Sequence, residues 1–257
     1  PKISRPPERP SSVPVGDGVR IGTGAEGSGV NETEQGDQAE LEAEWGGRAR
    51  REPRWPASIA VAVAIGLQVV LPDRLVFGPR WVAPALEGAL GIALLVVSPQ
   101  RHNRESSVVR SLSIGLIALI NVSNLVSLGY LVDALVATHP VGGKTLIYSA
   151  VPVWATNIIV FGLWYWELDR GGPSARVLTT RRAPDFLFPQ MMARGSTGND
   201  WSPSFLDYLY TSFTNVTAFS PTDTMPLTPW AKLLMMLQSL ASLLTLGLVI
   251  SRAVNIL

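Results

Sequence analysis

The strongest constraint on this chain is a run of about 20 predominantly apolar residues that begins at Pro229. A helix rises about 1.5 Å per residue, so such a run can cross the roughly 30 Å hydrocarbon core of a bilayer. Thr228 precedes Pro229 as an N-cap residue, and proline at the first helical position loses no hydrogen bond. The sequence therefore predicts a membrane-spanning helix that begins at about Pro229.

Earlier apolar segments repeat this pattern. They run from Pro56 to about Leu71, from Trp81 to about Ser98, from Ser111 to about Thr138 and from Leu146 to about Trp166. The chain is 47% hydrophobic and only 16% charged, as multi-pass membrane proteins are. Residues 1–54 are rich in Pro, Gly, Ser and charge, so they cannot bury enough apolar surface to fold. We expect an all-α membrane protein with about five transmembrane helices and a disordered N-terminal tail.

A shorter helix is predicted from Pro203, which again follows an N-cap serine, Ser202. Its aromatic residues alternate with polar ones, namely Asp207, Thr211, Ser212, Thr214, Asn215 and Thr217. That composition is too polar for a lipid-facing span. It suits a half-buried helix that lines a cavity or packs inside protein.

A turn joins this helix to the last one and consists of Thr217, Ala218, Phe219, Ser220, Pro221, Thr222 and Asp223. At membrane depth its hydroxyls, free carbonyls and carboxylate would be satisfied only in a cavity. The simpler alternative is a surface turn at Asp223, with Thr228 capping the last helix.

The order of short helix, turn and spanning helix resembles the pore module of the two-helix potassium-channel superfamily. After the turn, Asp223, Pro226, Thr228, Trp230 and Lys232 match the D-x-x-P-x-T-x-W-x-[KR] spacing of many such channels. The apolar segments predict the first three transmembrane helices in residues 55–145. The resemblance implies a channel-like module in residues 146–257, made of outer helix, long loop, pore-like helix, filter-like turn and inner helix. It also implies a homo-oligomer, a tetramer if a channel, that passes small cations or other small solutes.

The filter itself departs from the family pattern. Where the family has T-V-G-Y-G-D, this chain has A-F-S-P-T-D, with no glycine. Glycine makes the filter backbone accessible, whereas Pro221 fixes its own φ and restricts Ser220. The alternative function is therefore a non-conducting membrane scaffold or sensor that keeps a degenerate channel-like module.

Polar and ionisable residues also occur within or at the ends of the predicted spans: Asn121, Asn124, Asp133, Asn157, Glu167 and Asp169. The asparagines suit hydrogen bonds between packed helices, or alternatively a polar permeation path. Carboxylates at membrane depth are costly and often functional. Glu167 and Asp169, however, lie near a helix end, where they can reach water or pair with Arg170.

Several functional classes are not expected. A net charge of +1 gives no basic excess for nucleic acid. Without cysteine, and with its two histidines at opposite ends of a predicted span, the chain offers no metal site. No spacing of a catalytic triad, zinc protease or paired carboxylates is present, so we expect neither an enzyme nor a cofactor.

Basic residues near the predicted spans place the N-terminus in the cytoplasm, in a bacterial cytoplasmic membrane, with the lipid bilayer as partner. Two arrangements of the segment from Pro203 then remain. It either re-enters from the cytoplasmic side and returns there, or crosses by about Ser220 and places Asp223 outside. The sequence favours the crossing or deeply inserted form, because it gives Arg252 a cytoplasmic end.

Overall fold

The computed structural model describes residues 52–97, 107–136, 143–178, 183–192, 201–217 and 223–254, and these residues are mostly helical. The helices are α1 (Trp55–Val69), α2 (Val82–Val97), α3 (Ser107–Val136), α4 (Gly143–Leu168), α5 (Pro173–Leu178), α6 (Pro189–Met192), α7 (Phe205–Thr217) and α8 (Pro229–Val254). Two short strands, β1 (Phe186–Leu187) and β2 (Met225–Pro226), pair in antiparallel fashion. Residues 1–51 of the predicted tail lie outside the described part.

Three helices are long and apolar enough to cross a membrane. They lie in α3, α4 and α8, with candidate spans Ser107–Ala134, Ile147–Gly171 and Pro229–Ser251. Helices α1 and α2 are also apolar, but have only 15 and 16 residues and so a length of about 23 Å. The chain is thus a mostly helical protein with three candidate membrane-spanning helices. Helix α8 begins at Pro229, as predicted.

The long helices alternate in direction. One core cluster joins the start of α1 to the first half of α3 and the second half of α4, through residues such as Ala60, Ile120 and Val160. A second cluster joins the chain just after α1 to later α3 and early α4. Helices α1 and α3 therefore run parallel, and α4 runs opposite to both. We call the end of the bundle where α1 begins and α4 ends the basal end.

Small residues allow α1 to approach its neighbours closely. Ala57, Ala60 and Ala64 recur at three- and four-residue spacing, so they share one face of the helix, and all three are buried in the core. In apolar surroundings, helix association depends on such close packing, because lipid chains are as apolar as leucine.

The chain reverses sharply where α4 ends at the basal end. Arg170, Gly171 and Gly172 all have positive φ, at 52°, 87° and 102°. A Cβ at position 172 would lie 3.0 Å from the carbonyl oxygen of Glu167, so glycine is required there. The reversal leads into α5 and then to β1, which pairs with β2 just before α8.

Candidate functional site

Helix α7 begins at Phe205 because Ser204 caps it. The Asp207 carboxylate accepts hydrogen bonds from the Ser204 backbone N–H and hydroxyl, both at 2.7 Å. This is the reciprocal half of a capping box, in which the third helical residue reaches back to the N-cap. The predicted start at Pro203 is thus two residues early.

One face of α7 is buried against α4 and α8. Its buried residues recur at the helical spacing and are Phe205, Tyr208, Thr211, Ser212 and Val216. The opposite face exposes Leu206, Tyr210 and Phe213. Gly162 of α4 permits the contact, since a Cβ there would lie 3.1 Å from the Cα of Leu209.

The Gln238 side chain is the centre of a polar network that joins α4, α7 and α8, and it is fully buried. Its Oε1 accepts hydrogen bonds from the Tyr165 hydroxyl at 2.5 Å and from Asn215 Nδ2 at 2.9 Å. Its Nε2 donates to the carbonyl of Ser212 at 3.1 Å and to the Ser212 hydroxyl at 2.5 Å. Asn157 Nδ2 donates to the backbone carbonyl of Gln238 at 3.3 Å. We call these five residues the Gln238 hub.

Helices α7 and α8 run in the same direction. Ser212 contacts Gln238, and one turn later the Ser242 hydroxyl donates to the carbonyl of Val216 at 3.2 Å. In each pair the two contacting residues are 26 positions apart in the sequence. A constant separation between two helices means that they are parallel and in fixed register.

Helix α7 runs opposite to α4. The Tyr208 hydroxyl donates to Asp169 Oδ2, just beyond the end of α4, at 2.5 Å. One turn later the Ser212 hydroxyl donates to the carbonyl of Ile158, well inside α4, at 2.6 Å. Helix α7 therefore begins at the basal end and points into the bundle.

The chain then returns to the basal end before α8 begins. Thr224 lies level with the middle of α7, because the Thr211 hydroxyl donates to its hydroxyl at 3.2 Å. Leu227 N–H donates to the carbonyl of Asp185 at 2.9 Å, beside the reversal that follows α4. A crossing by α7 would place the start of α8 at the opposite end. These contacts therefore place the start of α7 and the start of α8 at the same end of the bundle, which is the path of the re-entrant arrangement.

The C-terminal end of α7 lies about halfway along the bundle. Ser242, which contacts Val216, is near the middle of α8 (Pro229–Val254). The Thr217 hydroxyl donates to the carbonyl of Thr214 at 3.1 Å. The carbonyl end of a helix carries partial negative charge, so a cation at this depth is favoured over an anion. Ala218, Phe219, Ser220, Pro221 and Thr222 lie outside the described residues.

The motif after the turn runs from Asp223, next to Thr224 and so level with the middle of α7, to Trp230 and Lys232 at the basal end. Asp223, Trp230 and Lys232 are exposed, and Pro226 belongs to β2. The Thr228 hydroxyl accepts from the backbone N–H of Ala231 at 3.4 Å, as an N-cap does.

No known family model, curated protein or solved structure matches the chain. The likeness to a pore module therefore rests on the residues of the motif and on the geometry of α4, α7 and α8.

The structure separates the predicted intramembrane polar residues into different environments. Asn157 belongs to the Gln238 hub. In α3, Asn124 is buried, Asn121 is half-buried and Asp133 is exposed near the helix end. Among the described residues, no group of three or more His, Asp or Glu residues is placed to hold a metal ion.

Asp169 is buried at the basal end, although its position at a helix end suggested contact with water. It is fully buried, and its carboxylate accepts from Tyr208 and from the backbone N–H of Asp185, the latter at 2.8 Å. The expected pair with Arg170 is present, with Nε 3.7 Å from Oδ2. Burial, and next the charge of Asp169, raise the pKa of Tyr208 well above its ordinary value, so its hydroxyl stays protonated and donates.

Arg176 connects the same region to the residues before α1. Its Nη1 donates to the carbonyls of Trp166 and Asp169 at 2.6 and 3.2 Å. Its Nη2 lies 3.8 Å from Glu52 Oε2, and its guanidinium lies 5.1 Å from the ring centre of Tyr208. Glu167, also predicted, is buried nearby.

Glu52 contacts the start of α7, although the sequence places it in the disordered tail. Its carboxylate accepts from the indole N–H of Trp166 at 2.8 Å and from the backbone N–H of Phe205. Arg54 donates to the Ser174 hydroxyl at 2.9 Å. Glu52 and Arg54, which the sequence places in the tail, therefore contact the bundle.

Glu87 is the buried residue that the sequence interpretation missed. It is the only charged residue of α2 and it is fully buried. The signal was present, since one carboxylate interrupts an otherwise apolar run. An ionisable residue in such a run is a functional candidate without any further motif.

Proposed function

We propose that this chain is an integral membrane protein with five transmembrane helices, α1 to α4 and α8, whose C-terminal module forms an oligomeric pore for small cations. The observation that carries the proposal is the re-entrant path of residues 205–228. A half-length helix enters between two spanning helices from the basal end, and the chain then returns to the same end. The potassium-channel pore module has this order and these relative directions.

The orientation follows from the basic residues. Five basic residues belong to segments at the basal end: Arg54, Arg110, Arg170, Arg176 and Lys232. Because cytoplasmic segments of membrane proteins carry the excess of Lys and Arg, the basal end is cytoplasmic in this proposal. The pore loop then enters from the cytoplasmic side, inverted relative to potassium channels, and α8 ends on the outside. The membrane is the bacterial cytoplasmic membrane.

The cation preference follows from the end of α7. Its last carbonyls point toward mid-depth, where their partial negative charge favours a cation. The hydroxyl of Thr217, the last residue of α7, adds an oxygen ligand of the kind that replaces the water shell of an ion. One copy contributes one such turn, so a pore needs several copies around an axis, four if the arrangement follows the potassium channels. The exposed apolar faces of α7 and α8 are available for those contacts.

A non-conducting scaffold or sensor is the second candidate, and one observation favours it. The polar side chains on the inner side of α7, those of Thr211, Ser212 and Asn215, all have hydrogen-bond partners within the chain. Such a helix is stable as a packing unit without any pore.

Ion flux into liposomes tests the proposal directly. The purified protein is reconstituted, and cation and anion fluxes are measured with fluorescent indicators. We expect cation flux above that of empty liposomes, reduced by up to about tenfold in Asp223→Asn, because this carboxylate concentrates cations at the basal mouth. Asp133→Asn, which removes an exposed carboxylate outside the module, is the matched control and should leave the flux unchanged. An assembled oligomer without flux would support the scaffold instead.

The re-entrant path is tested by mapping single cysteines, since the native chain has none. In Asp223→Cys, a membrane-impermeant maleimide should react from the same side as a tag at the N-terminus. In Asp73→Cys, in the exposed turn after α1, it should react from the opposite side. If Asp223→Cys and Asp73→Cys react from the same side, the re-entrant arrangement is wrong.

A further inference from the structure

The carboxyl group of Glu87 lies inside the bundle, away from the proposed pore. It sits in the first half of α2, where every other residue of the helix is apolar or glycine. Charged side chains are almost never fully buried unless they are paired. The groups around the Glu87 carboxyl group therefore indicate what neutralises it.

Two polar groups face this carboxyl group. The Ser123 hydroxyl of α3 donates to its Oε1 at 3.0 Å. The Gln68 side chain of α1 lies within hydrogen-bonding reach and also donates weakly to the carbonyl of Ile120 at 3.5 Å. The other carboxyl oxygen, Oε2, is buried and has no hydrogen-bond partner among the described residues.

No cation of the protein neutralises this group within the described part of the chain. Helix α1 contains no charged residue, and the charged residues of α3 are Arg110 and Asp133. Along the helix axis these lie about 20 and about 15 Å from Ser123. No charged residue of α1 or α3, the two helices that pack against α2, therefore lies beside Glu87. The remaining titratable side chain of these helices is Tyr130, about 10 Å from Ser123 along α3.

A carboxylate without a counter-charge is costly in this setting. Moving an isolated ionised group out of water costs several kcal/mol or more, and the usual outcome is that it takes up a proton. Among the described residues, Glu87 belongs to no group of three or more His, Asp or Glu residues that could hold a metal ion. One proton neutralises the carboxyl group and needs no further ligand.

A cavity is lined by Gly88, the residue next to Glu87, but not by Glu87, Gln68 or Ser123. It has a volume of about 340 Å³ and lies between α1, α2, α3 and α4. It reaches from Arg54 and Glu167 at the basal end to Gly88 and to Ile65, one turn before Gln68. Nothing lies within 4 Å of a Cβ built at Gly88, so the cavity ends one residue from Glu87.

We propose that Glu87 is a proton-binding site within the bundle of α1, α2 and α3 and that it exchanges its proton with the basal end. Loss of the proton places an uncompensated charge between these helices. The charge state of Glu87 then controls how closely α2 packs against α1 and α3. This site is independent of ion conduction through the C-terminal module.

Labelling with dicyclohexylcarbodiimide tests the proposal in the full-length protein. A protonated carboxylic acid adds across a C=N bond of this apolar reagent, and the product rearranges to a stable N-acylurea that peptide mass spectrometry detects. At about pH 7 an exposed glutamic acid is almost fully ionised and reacts poorly. We expect an adduct at Glu87 at this pH, none at exposed Asp133, and a decline in the Glu87 adduct as the pH rises to about 9.

Glu87→Gln is isosteric and should remove the adduct while the protein elutes as the wild type does. Absence of the adduct between about pH 6 and about pH 8 would show that Glu87 is not protonated and would overturn the proposal. An adduct whose yield does not change with pH would show a sealed structural acid that exchanges no proton. Suppression of labelling by Na⁺ at constant pH would assign the site to a metal ion instead.

Discussion

Replacing Gln238 with leucine should detach α7 from the two helices that hold it. Leucine has a similar size but neither donates nor accepts a hydrogen bond, so the variant removes four side-chain hydrogen bonds at once. Tyr165, Ser212 and Asn215 are left without their main shared partner. The contacts among α1, α2 and α3 do not use these bonds, so these helices should remain folded.

The size of the effect can be bounded from these contacts. Hydrogen bonds between membrane helices average about 0.6 kcal/mol each, so four of them give about 2 kcal/mol. A buried polar group left unpaired costs about 1 to 3 kcal/mol. This penalty applies above all to the Tyr165 hydroxyl, because Tyr165 is fully buried. We therefore expect Gln238→Leu to lower the free energy of unfolding by about 2 to about 5 kcal/mol.

The matched control is Ser239→Ala, on the next residue of α8. The Ser239 hydroxyl makes one long hydrogen bond, 3.5 Å to the carbonyl of Asn215, so its loss should cost less than about 0.6 kcal/mol. Unfolding is followed by titration with SDS in mixed micelles. Amide hydrogen exchange of peptides from α7 shows whether that helix is released first. Equal effects of Gln238→Leu and Ser239→Ala would refute the central role of the Gln238 hub.

Two further substitutions test how α7 is held. Gly162→Ala should destabilise the protein by about 1 to 3 kcal/mol, because its Cβ would meet Leu209 at 3.1 Å. Gly247→Ala, the control, has open space around it and should not destabilise the protein. Equal thermal stability of the two variants in detergent would contradict this prediction. Glu52→Ala removes the acceptor of the first α7 amide and should speed hydrogen exchange there, whereas Asp73→Ala breaks only an exposed ion pair and should leave that exchange unchanged. Unchanged exchange in Glu52→Ala would show that residues before α1 do not anchor α7.

The sequence predicts the helices well because hydrophobic length and capping are local signals. The start of α8 at Pro229 follows from Thr228 and proline chemistry alone. The start of α7 was misjudged because Ser202-Pro203 looks like a stronger signal than Ser204. Ser204 and Asp207 have the three-residue spacing of a capping box, and this pair sets the start of α7.

The direction of α7 could not be predicted, because it depends on contacts between residues far apart in sequence. Counting basic residues left crossing and re-entry open. The hydrogen bonds of Thr211 with Thr224 and of Ser212 with Ile158 show that α7 enters the bundle from the end at which α8 begins. The basal cluster was hidden for the same reason, since Glu52 and Phe205 are 153 residues apart.

The depth of α7 follows from chain lengths more than from any single side chain. Its 13 residues give a length of about 20 Å, half that of the 26-residue α4. Because Tyr208 is held beside Asp169 at the basal end, the last residue of α7 must lie near the middle of α4. The seven Cα–Cα steps from Thr217 to Thr224 can span at most about 25 Å, enough to return to Thr211 from that depth. An added turn in α7 would shift the end of the helix by about 5.4 Å and move Ser212 out of register with Gln238. The length of the loop and the position of the Gln238 hub can therefore change only together.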